Sequence, residues 1–119
     1  AIPMAVASGG VKPIIERVLV HLGIREFFTA VVTSEDVQKQ KPAPDIFLLA
    51  AKKLHMPPAD CLVIEDAHVG LEAARCAGMA TLAVATTNPL ADLQYADAAV
   101  ESLASVTLDF LLNIKNSQA

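Results

Sequence analysis

Two adjacent carboxylates, Glu65 and Asp66, directly follow the apolar run Leu62–Ile64. Adjacent like charges repel, and placing them against a buried strand adds a desolvation cost. A divalent cation such as Mg²⁺, which takes carboxylate oxygens together with water and substrate oxygens, would remove that repulsion. Alternatively, both acids stand in the first turn of the next helix and complement its dipole. Because a helix start does not explain why the acids abut an apolar strand, we predict Asp66 and Glu65 as Mg²⁺ ligands.

Two other segments carry residue types that bind phosphate. Ser8 could donate its hydroxyl to a phosphate oxygen, and Gly9 would let backbone N–H groups approach an anion at the start of a helix. A serine-capped turn between strand and helix would have the same sequence. Lys41 precedes Pro42, which pushes the lysine backbone toward an extended conformation and restricts where its ammonium points. Such an ammonium could neutralise a transferring phosphoryl group, and the alternative is a solvated loop lysine.

The elements that must position these residues alternate between short apolar runs and segments with apolar residues three and four positions apart. We predict strands at Ile2–Ala7, Phe28–Thr33, Leu62–Ile64, Thr81–Ala85 and Ala98–Val100. We predict helices at Lys12–Leu22, from Asp45 to about His55 with Asp45 as N-cap, from about His68 to Ala77, and from Val106 to about Lys115.

This alternation predicts an α/β fold, a Rossmann-like three-layer core with a mostly parallel sheet. In open sheets of this kind, ligands bind beyond the carboxyl ends of the strands. Ser8 follows the first predicted strand, Glu65 follows the third, and Lys41 lies between the second and third. We therefore expect these residues and Asp66 at one rim of the sheet.

Several neighbouring residues have simpler interpretations. His68 is expected in the first turn of its helix rather than in acid–base chemistry. Gly70, early in the same helix, is expected to permit close packing or ligand approach, because Gly there costs about 1 kcal/mol against Ala. Gly78 is predicted to cap the end of that helix. Cys61 and Cys76 have neither the number nor the spacing of a disulfide framework or zinc site, and we predict buried, reduced thiols.

The composition bounds the remaining possibilities. Hydrophobic residues make up 54% and charged residues 18% of the 119 residues, so a well-buried core is expected. The formal net charge of −4 argues against a general surface for nucleic acid or anionic membranes. No stretch approaches the length of a transmembrane helix and no signal peptide is recognisable, so we expect a cytoplasmic protein.

Three stretches, AVASGG, KPAPDIFLLAAKKL and VIEDAHVGLEAARCAGM, resemble the second, third and fourth motifs of the haloacid dehalogenase-like (HAD-like) hydrolases. The nearest branch is that of sugar phosphatases and β-phosphoglucomutase, and the resemblance runs to about residue 90. It implies a two-step phosphoryl transfer through an aspartyl-phosphate with Mg²⁺ as cofactor. Carried over, Ser8 and the Gly9 N–H would hold phosphate, Lys41 would neutralise it, and Asp66 with Glu65 would bind Mg²⁺.

The family's first motif, an Asp-x-Asp-Gly-Thr-like strand end, has no counterpart, since no Asp-x-Asp occurs in the 119 residues. We therefore interpret residues 1–119 as the carboxyl-terminal portion of the core domain, without the nucleophile, the acid/base residue or the substrate-selecting cap. In the family the first-motif strand would lie between the strands ending at Ser8 and at Glu65. We expect the chain to need an amino-terminal segment, a swapped dimer or a rearranged sheet, because unpaired apolar edges aggregate.

The resemblance implies part of a Mg²⁺-dependent phosphatase of small phosphorylated metabolites, sugar phosphates above all, whose nucleophile lies outside this chain. On that interpretation the chain alone is inactive. One alternative is a β-phosphoglucomutase-type phosphotransferase, and another is a non-catalytic remnant that serves as a binding or assembly module. Gln40 stands where the family often has Gly before Lys-Pro, which leaves the subfamily open.

Overall fold

The structure, a computed structural model, describes residues 2–117 and, of these, the side chains of residues 2–114. Residues 1, 118 and 119 of the predicted domain lie outside the described residues. The strands are β1 (Ala5–Ala7), β2 (Ala30–Val32), β3 (Leu62–Glu65), β4 (Ala80–Val84) and β5 (Ala98–Val100). The α-helices are α1 (Lys12–His21), α2 (Asp45–Lys53), α3 (His68–Cys76) and α4 (Leu108–Ser117). Short 3₁₀ turns occupy Arg25–Phe27, Ser34–Asp36, Pro58–Asp60, Leu90–Leu93 and Leu103–Ser105.

All strand pairs in the described residues are parallel, which confirms the predicted α/β class. They form two separate sheets, β1 with β2 and β3 with β4 and β5. No ladder of the described chain joins β1 to β3. The family resemblance places the strand of the first motif at this interruption.

Helices α2 and α3 cover one face of both sheets. Their cluster of buried residues joins the two sheets through one shared core, with members Val32, Ile46, Phe47, Ala50, Ala51, Val63, Ala73, Ala74, Ala77 and Met79. Along β3, side chains alternate between the faces, so Val63 joins this core while Ile64 remains 45% exposed. Helix α4 packs on the other face of β4, where Ile114 contacts a cluster with Ala80 and Leu82.

Several boundaries differ from the predictions for local reasons. β1 begins at Ala5 rather than Ile2, since Pro3 has no N–H to donate and the residues on either side of it are exposed. α2 begins at Asp45, but Pro44 occupies the N-cap, so the prediction of Asp45 as N-cap was wrong. α4 begins at Leu108, two residues beyond the predicted start at Val106, because a 3₁₀ turn ends at residue 105.

The structure also tests two smaller predictions, the capping role of Gly78 and the burial of the two cysteines. Gly78 follows the C-cap of α3 with φ +78°, which confirms its capping role. Cys76 is exposed and Cys61 only half-buried, so the prediction of two buried thiols was wrong. Cys76 lies off the buried face of α3, and its Sγ contacts Glu72 Oε1 at 3.6 Å. Within the described residues, none of the helices has the length and apolar character needed to cross a bilayer.

Candidate functional site

Lys41 brings together the carboxyl ends of β1 and β3. Its Nζ donates to the carbonyl oxygen of Ala7 at 3.2 Å and to Glu65 Oε2 at 2.9 Å. The ammonium also lies 4.9 Å from the centre of the Phe47 ring, over its face. The Lys41 and Glu65 side chains are only 17% and 13% exposed, so solvent screens this ion pair weakly. The alternative of a solvated loop lysine is therefore not what the structure shows.

The loop that carries Lys41 is tied to the end of β2. Gln40 Nε2 donates to the carbonyl oxygens of Ser34 and Val37 at 3.0 and 3.4 Å. The peptide bond between Lys41 and Pro42 is cis. Gln40, which departs from the family pattern, thus fastens the residue before the lysine to the preceding turn.

Glu65 has protein partners on both carboxylate oxygens. Oε2 accepts the Lys41 ammonium, and Oε1 accepts the backbone N–H groups of Asp66 and Ala67 at 3.1 and 3.3 Å. Ala67 is the N-cap of α3, so both acids precede the helix rather than standing in its first turn. The alternative that they merely complement a helix dipole in that turn is therefore wrong.

Asp66 is held from the end of β4. Its Oδ2 accepts the Thr86 hydroxyl at 3.0 Å, while its carbonyl oxygen accepts Thr87 Oγ1 and Asn88 Nδ2, both at 3.1 Å. None of Thr86, Thr87 and Asn88 was predicted from the sequence as a site residue. A signal was available, since they directly follow the predicted fourth strand and so belong to the same rim.

Ser8 begins the loop beyond β1. Its N–H donates to the Val32 carbonyl oxygen at 2.9 Å, and its Oγ accepts the Gly10 N–H at 3.1 Å. The turn that Ser8 closes matches the alternative only in part, because the N-cap of α1 is Val11 and Ser8 does not cap the helix. The Ser8 hydroxyl hydrogen is not used in that bond, so the turn leaves it able to donate to a ligand. Gly9 is exposed, with no atom within 4 Å of where a Cβ would be.

The donor set suits a hard cation bound in the manner of Mg²⁺. Asp66 Oδ1 accepts no hydrogen bond from the described residues, and the side chain is only partly buried. Glu65 is a poorer ligand, because both its oxygens already have partners. In the described chain no three His, Cys, Asp or Glu side chains form a metal-binding group. Mg²⁺ commonly takes one or two carboxylates and fills its other positions with water and phosphate oxygens, which these residues fit.

His68 is the first residue of α3, as expected, and it contacts Tyr95 rather than the two acids. Its Nδ1 lies 2.6 Å from Tyr95 Oη, and the two rings stack with centroids 5.6 Å apart. Partial burial, together with the charge of Glu72, raises the pKa of Tyr95. The pair supports the outside of α3 and adds no ligand to the rim.

Comparison with known proteins gives consistent similarities. The sequence profile of the haloacid dehalogenase-like hydrolases matches residues 1–84. The chain is 51% identical over 77 residues to the fructose-1-phosphate phosphatase of Escherichia coli (strain K12), covering 65% of this chain and 41% of that protein. It is 40% identical over 95 residues to the β-phosphoglucomutase of Bacillus subtilis (strain 168), covering 80% and 41%.

Among solved structures, the β-phosphoglucomutase from Clostridium difficile superposes with a TM-score of 0.87 at 30% identity, covering 98% of this chain and 50% of that one. This likeness confirms the predicted Rossmann-like fold class. The chain spans half the length of these relatives or less.

Proposed function

The chain belongs to the haloacid dehalogenase-like hydrolases, and we propose that it forms the phosphate- and metal-binding part of a Mg²⁺-dependent phosphatase of small phosphorylated metabolites. Sugar phosphates are the favoured substrate class, by analogy with the fructose-1-phosphate phosphatase that it resembles. The observation that carries the proposal is the position of Lys41. A largely buried ammonium joins the ends of two strands, beside the acids Glu65 and Asp66.

Each residue of the rim has a distinct task in this proposal. An ammonium has three N–H donors, and Lys41 spends two of them on Ala7 and Glu65, so the third can donate to a phosphoryl oxygen. Ser8 would donate its hydroxyl to a second phosphate oxygen, and the exposed Gly9 N–H to a third. Asp66, oriented by Thr86, and more weakly Glu65, would hold Mg²⁺. The bound ion would stabilise charge on the transferring phosphoryl group.

We further propose that the nucleophile comes from outside these 119 residues, in which no Asp-x-Asp occurs. The interruption between β1 and β3 supports this, since it leaves both strands with an unpaired edge. Exposed apolar side chains support it too: Ile64 on β3 is 45% exposed, and Ile14 and Val18 on α1 are 61% and 46% exposed. An amino-terminal segment or a second copy of the chain would cover such surfaces.

A second candidate is a β-phosphoglucomutase-type phosphotransferase, favoured by the 40% identity to the B. subtilis enzyme. Its phosphate and metal residues would be the same, and only the substrate-selecting part outside this chain would differ. The third candidate is a non-catalytic module that keeps the anion and cation site. Transfer assays on sugar monophosphates separate the first two, because a phosphatase releases inorganic phosphate and a mutase returns an isomer.

The decisive experiment is a chimera in which this chain replaces its matching segment of the E. coli phosphatase. We expect Mg²⁺-dependent hydrolysis of a sugar phosphate by the chimera. Lys41→Ala and Asp66→Ala should each lower its activity at least 100-fold, while Lys39→Ala, the same change two residues away, should leave it intact. A folded Lys41→Ala chimera as active as its Lys39→Ala counterpart would contradict the proposal. Turnover by the unfused chain would overturn its predicted inactivity.

A further inference from the structure

Gly70 lies buried in α3, with the Glu65 side chain in the space beside it. A Cβ at position 70 would lie 2.0 Å from Glu65 Oε2, 2.1 Å from its Cδ and 2.3 Å from its Cγ. These separations are far below van der Waals contact. Because the overlap reaches Cγ, turning the carboxylate alone does not relieve it, and Glu65 must leave its rotamer. Only glycine at position 70 is compatible with Glu65 as it stands.

Neither backbone conformation nor helix stability explains this glycine. Gly23 and Gly78 have φ of +71° and +78°, which favour glycine by themselves, whereas Gly70 is helical and not in that region. Within a helix, Ala is the better residue. The explanation that remains is the space next to Glu65.

The placement of Glu65 matters because several contacts depend on it. One carboxylate oxygen receives the Lys41 ammonium, and the other receives the N–H groups of Asp66 and Ala67. A displaced Glu65 would leave the ammonium with the Ala7 carbonyl as its remaining hydrogen-bond partner in the described residues, beside the Phe47 ring. The backbone that carries Asp66 would lose its two N–H bonds at the same time.

We propose that Gly70 is a positioning residue, whose missing side chain reserves the place from which Glu65 orients Lys41 and the backbone of Asp66. The overlap between a Cβ at position 70 and Glu65 is a matter of geometry alone, and its relevance to phosphoryl transfer rests on the proposed function. Gly70→Ala should therefore disrupt the rim while leaving α3 folded.

Amide hydrogen exchange followed by NMR tests this in the chain or, if the chain alone does not fold, in the E. coli chimera. In Gly70→Ala we expect exchange at the Asp66 and Ala67 amides to accelerate at least tenfold, with the amides of β4 unchanged. The matched control is Val69→Ala, because Val69 is an exposed neighbour in the same turn. This variant should leave amide exchange unchanged both at residues 66 and 67 and in β4. Unchanged protection at residues 66 and 67 in Gly70→Ala would overturn the proposal.

A double variant covers the case in which Gly70→Ala fails to fold. Glu65→Ala removes the three atoms that would lie nearest to a Cβ at position 70. If Gly70 serves Glu65, adding Gly70→Ala to Glu65→Ala should leave the exchange rates unchanged and should not lower the midpoint of urea unfolding, since Ala is the better helix residue. A further loss in the double variant would mean that Gly70 serves general packing, and the proposal would fail.

Activity in the E. coli chimera separates this inference from the proposed function. We expect Gly70→Ala to lower Mg²⁺-dependent hydrolysis at least tenfold against Val69→Ala. A chimera inactive even without further substitution would count against the proposed function and leave the exchange measurements to decide the role of Gly70. An active chimera unaffected by Gly70→Ala would refute the functional part of the inference.

Discussion

Replacing Lys41 by Met should destabilise the fold, because it removes the charge that joins the ends of β1 and β3. Met retains much of the aliphatic stem, so the change chiefly deletes the ammonium that lies over the Phe47 ring. It leaves the Glu65 carboxylate, only 13% exposed, with two backbone N–H partners and no counter-ion among the described residues.

The expected magnitude follows from the burial of the pair. Breaking an exposed ion pair costs about 0–1 kcal/mol. Removing one partner of a fully buried pair costs about 3–5 kcal/mol. At 17% and 13% exposure the Lys41–Glu65 pair lies between these cases, nearer to the buried one. We therefore expect Lys41→Met to lower the free energy of unfolding by about 2–3 kcal/mol, which includes roughly 0.5–1 kcal/mol from the lost cation–π contact.

Urea unfolding at neutral pH measures this loss, in the chain or, if the chain does not unfold cooperatively, in the chimera. Lys39→Met is the matched control, because Lys39 is exposed and makes no ion pair within the described residues. We expect it to stay within about 0.5 kcal/mol of the parent. A loss in Lys41→Met no larger than in Lys39→Met would refute the reasoning. So would full additivity of Lys41→Met with Glu65→Gln, since contacting residues should couple.

Two further predictions concern other parts of the chain. Asp36 accepts the N–H of buried Thr33 at 2.9 Å, and Asp36→Asn, which keeps an acceptor but removes its charge, should lower the free energy of unfolding by about 1 kcal/mol at neutral pH. This bond, aided by the charge of Lys12, holds the pKa of Asp36 below its ordinary 3.8. The stabilisation is therefore present above pH 3.8 and is lost as pH falls through the lowered pKa, so parent and variant stability should converge in acid. A difference that does not shrink as the pH is lowered would contradict this. Exposed Cys76 should react with a thiol reagent faster than half-buried Cys61, and Cys76→Ser should abolish the fast phase; its persistence would show that Cys61 is the accessible thiol.

The order of elements was predictable from the sequence because it depends on local spacing. The apolar positions of Lys12–Leu22 identified α1 to within a residue of its end at His21. Ligands bind beyond the carboxyl ends of parallel strands, and this rule predicts from the sequence alone that Ser8, Lys41 and Glu65 lie at one rim. In a parallel sheet the carboxyl ends of all strands lie at the same edge, so residues that follow different strands are brought together there.

The contacts within the rim could not be predicted in the same way. Lys41 and Glu65 are 24 residues apart, and no local pattern specifies that their charged atoms meet at 2.9 Å. The partnership of Asp66 with Thr86 likewise depends on how β4 lies beside β3. The prediction that Cys76 is buried was wrong for a related reason. Residue type gives only an average burial, whereas the rotation of α3 about its axis decides whether this side chain is exposed.

The two contacts of Lys41 have a consequence for binding. A side chain that touches the ends of β1 and β3 at once can keep both contacts only over a narrow range of distances between those strands. Whatever fixes that distance therefore also fixes where the remaining N–H donor points, and an anion held there would in turn favour that distance. Anion affinity and strand separation are thus reciprocally linked by thermodynamic necessity. If the rim binds phosphate as proposed, a segment seated between β1 and β3 would tune that affinity even without touching the phosphate.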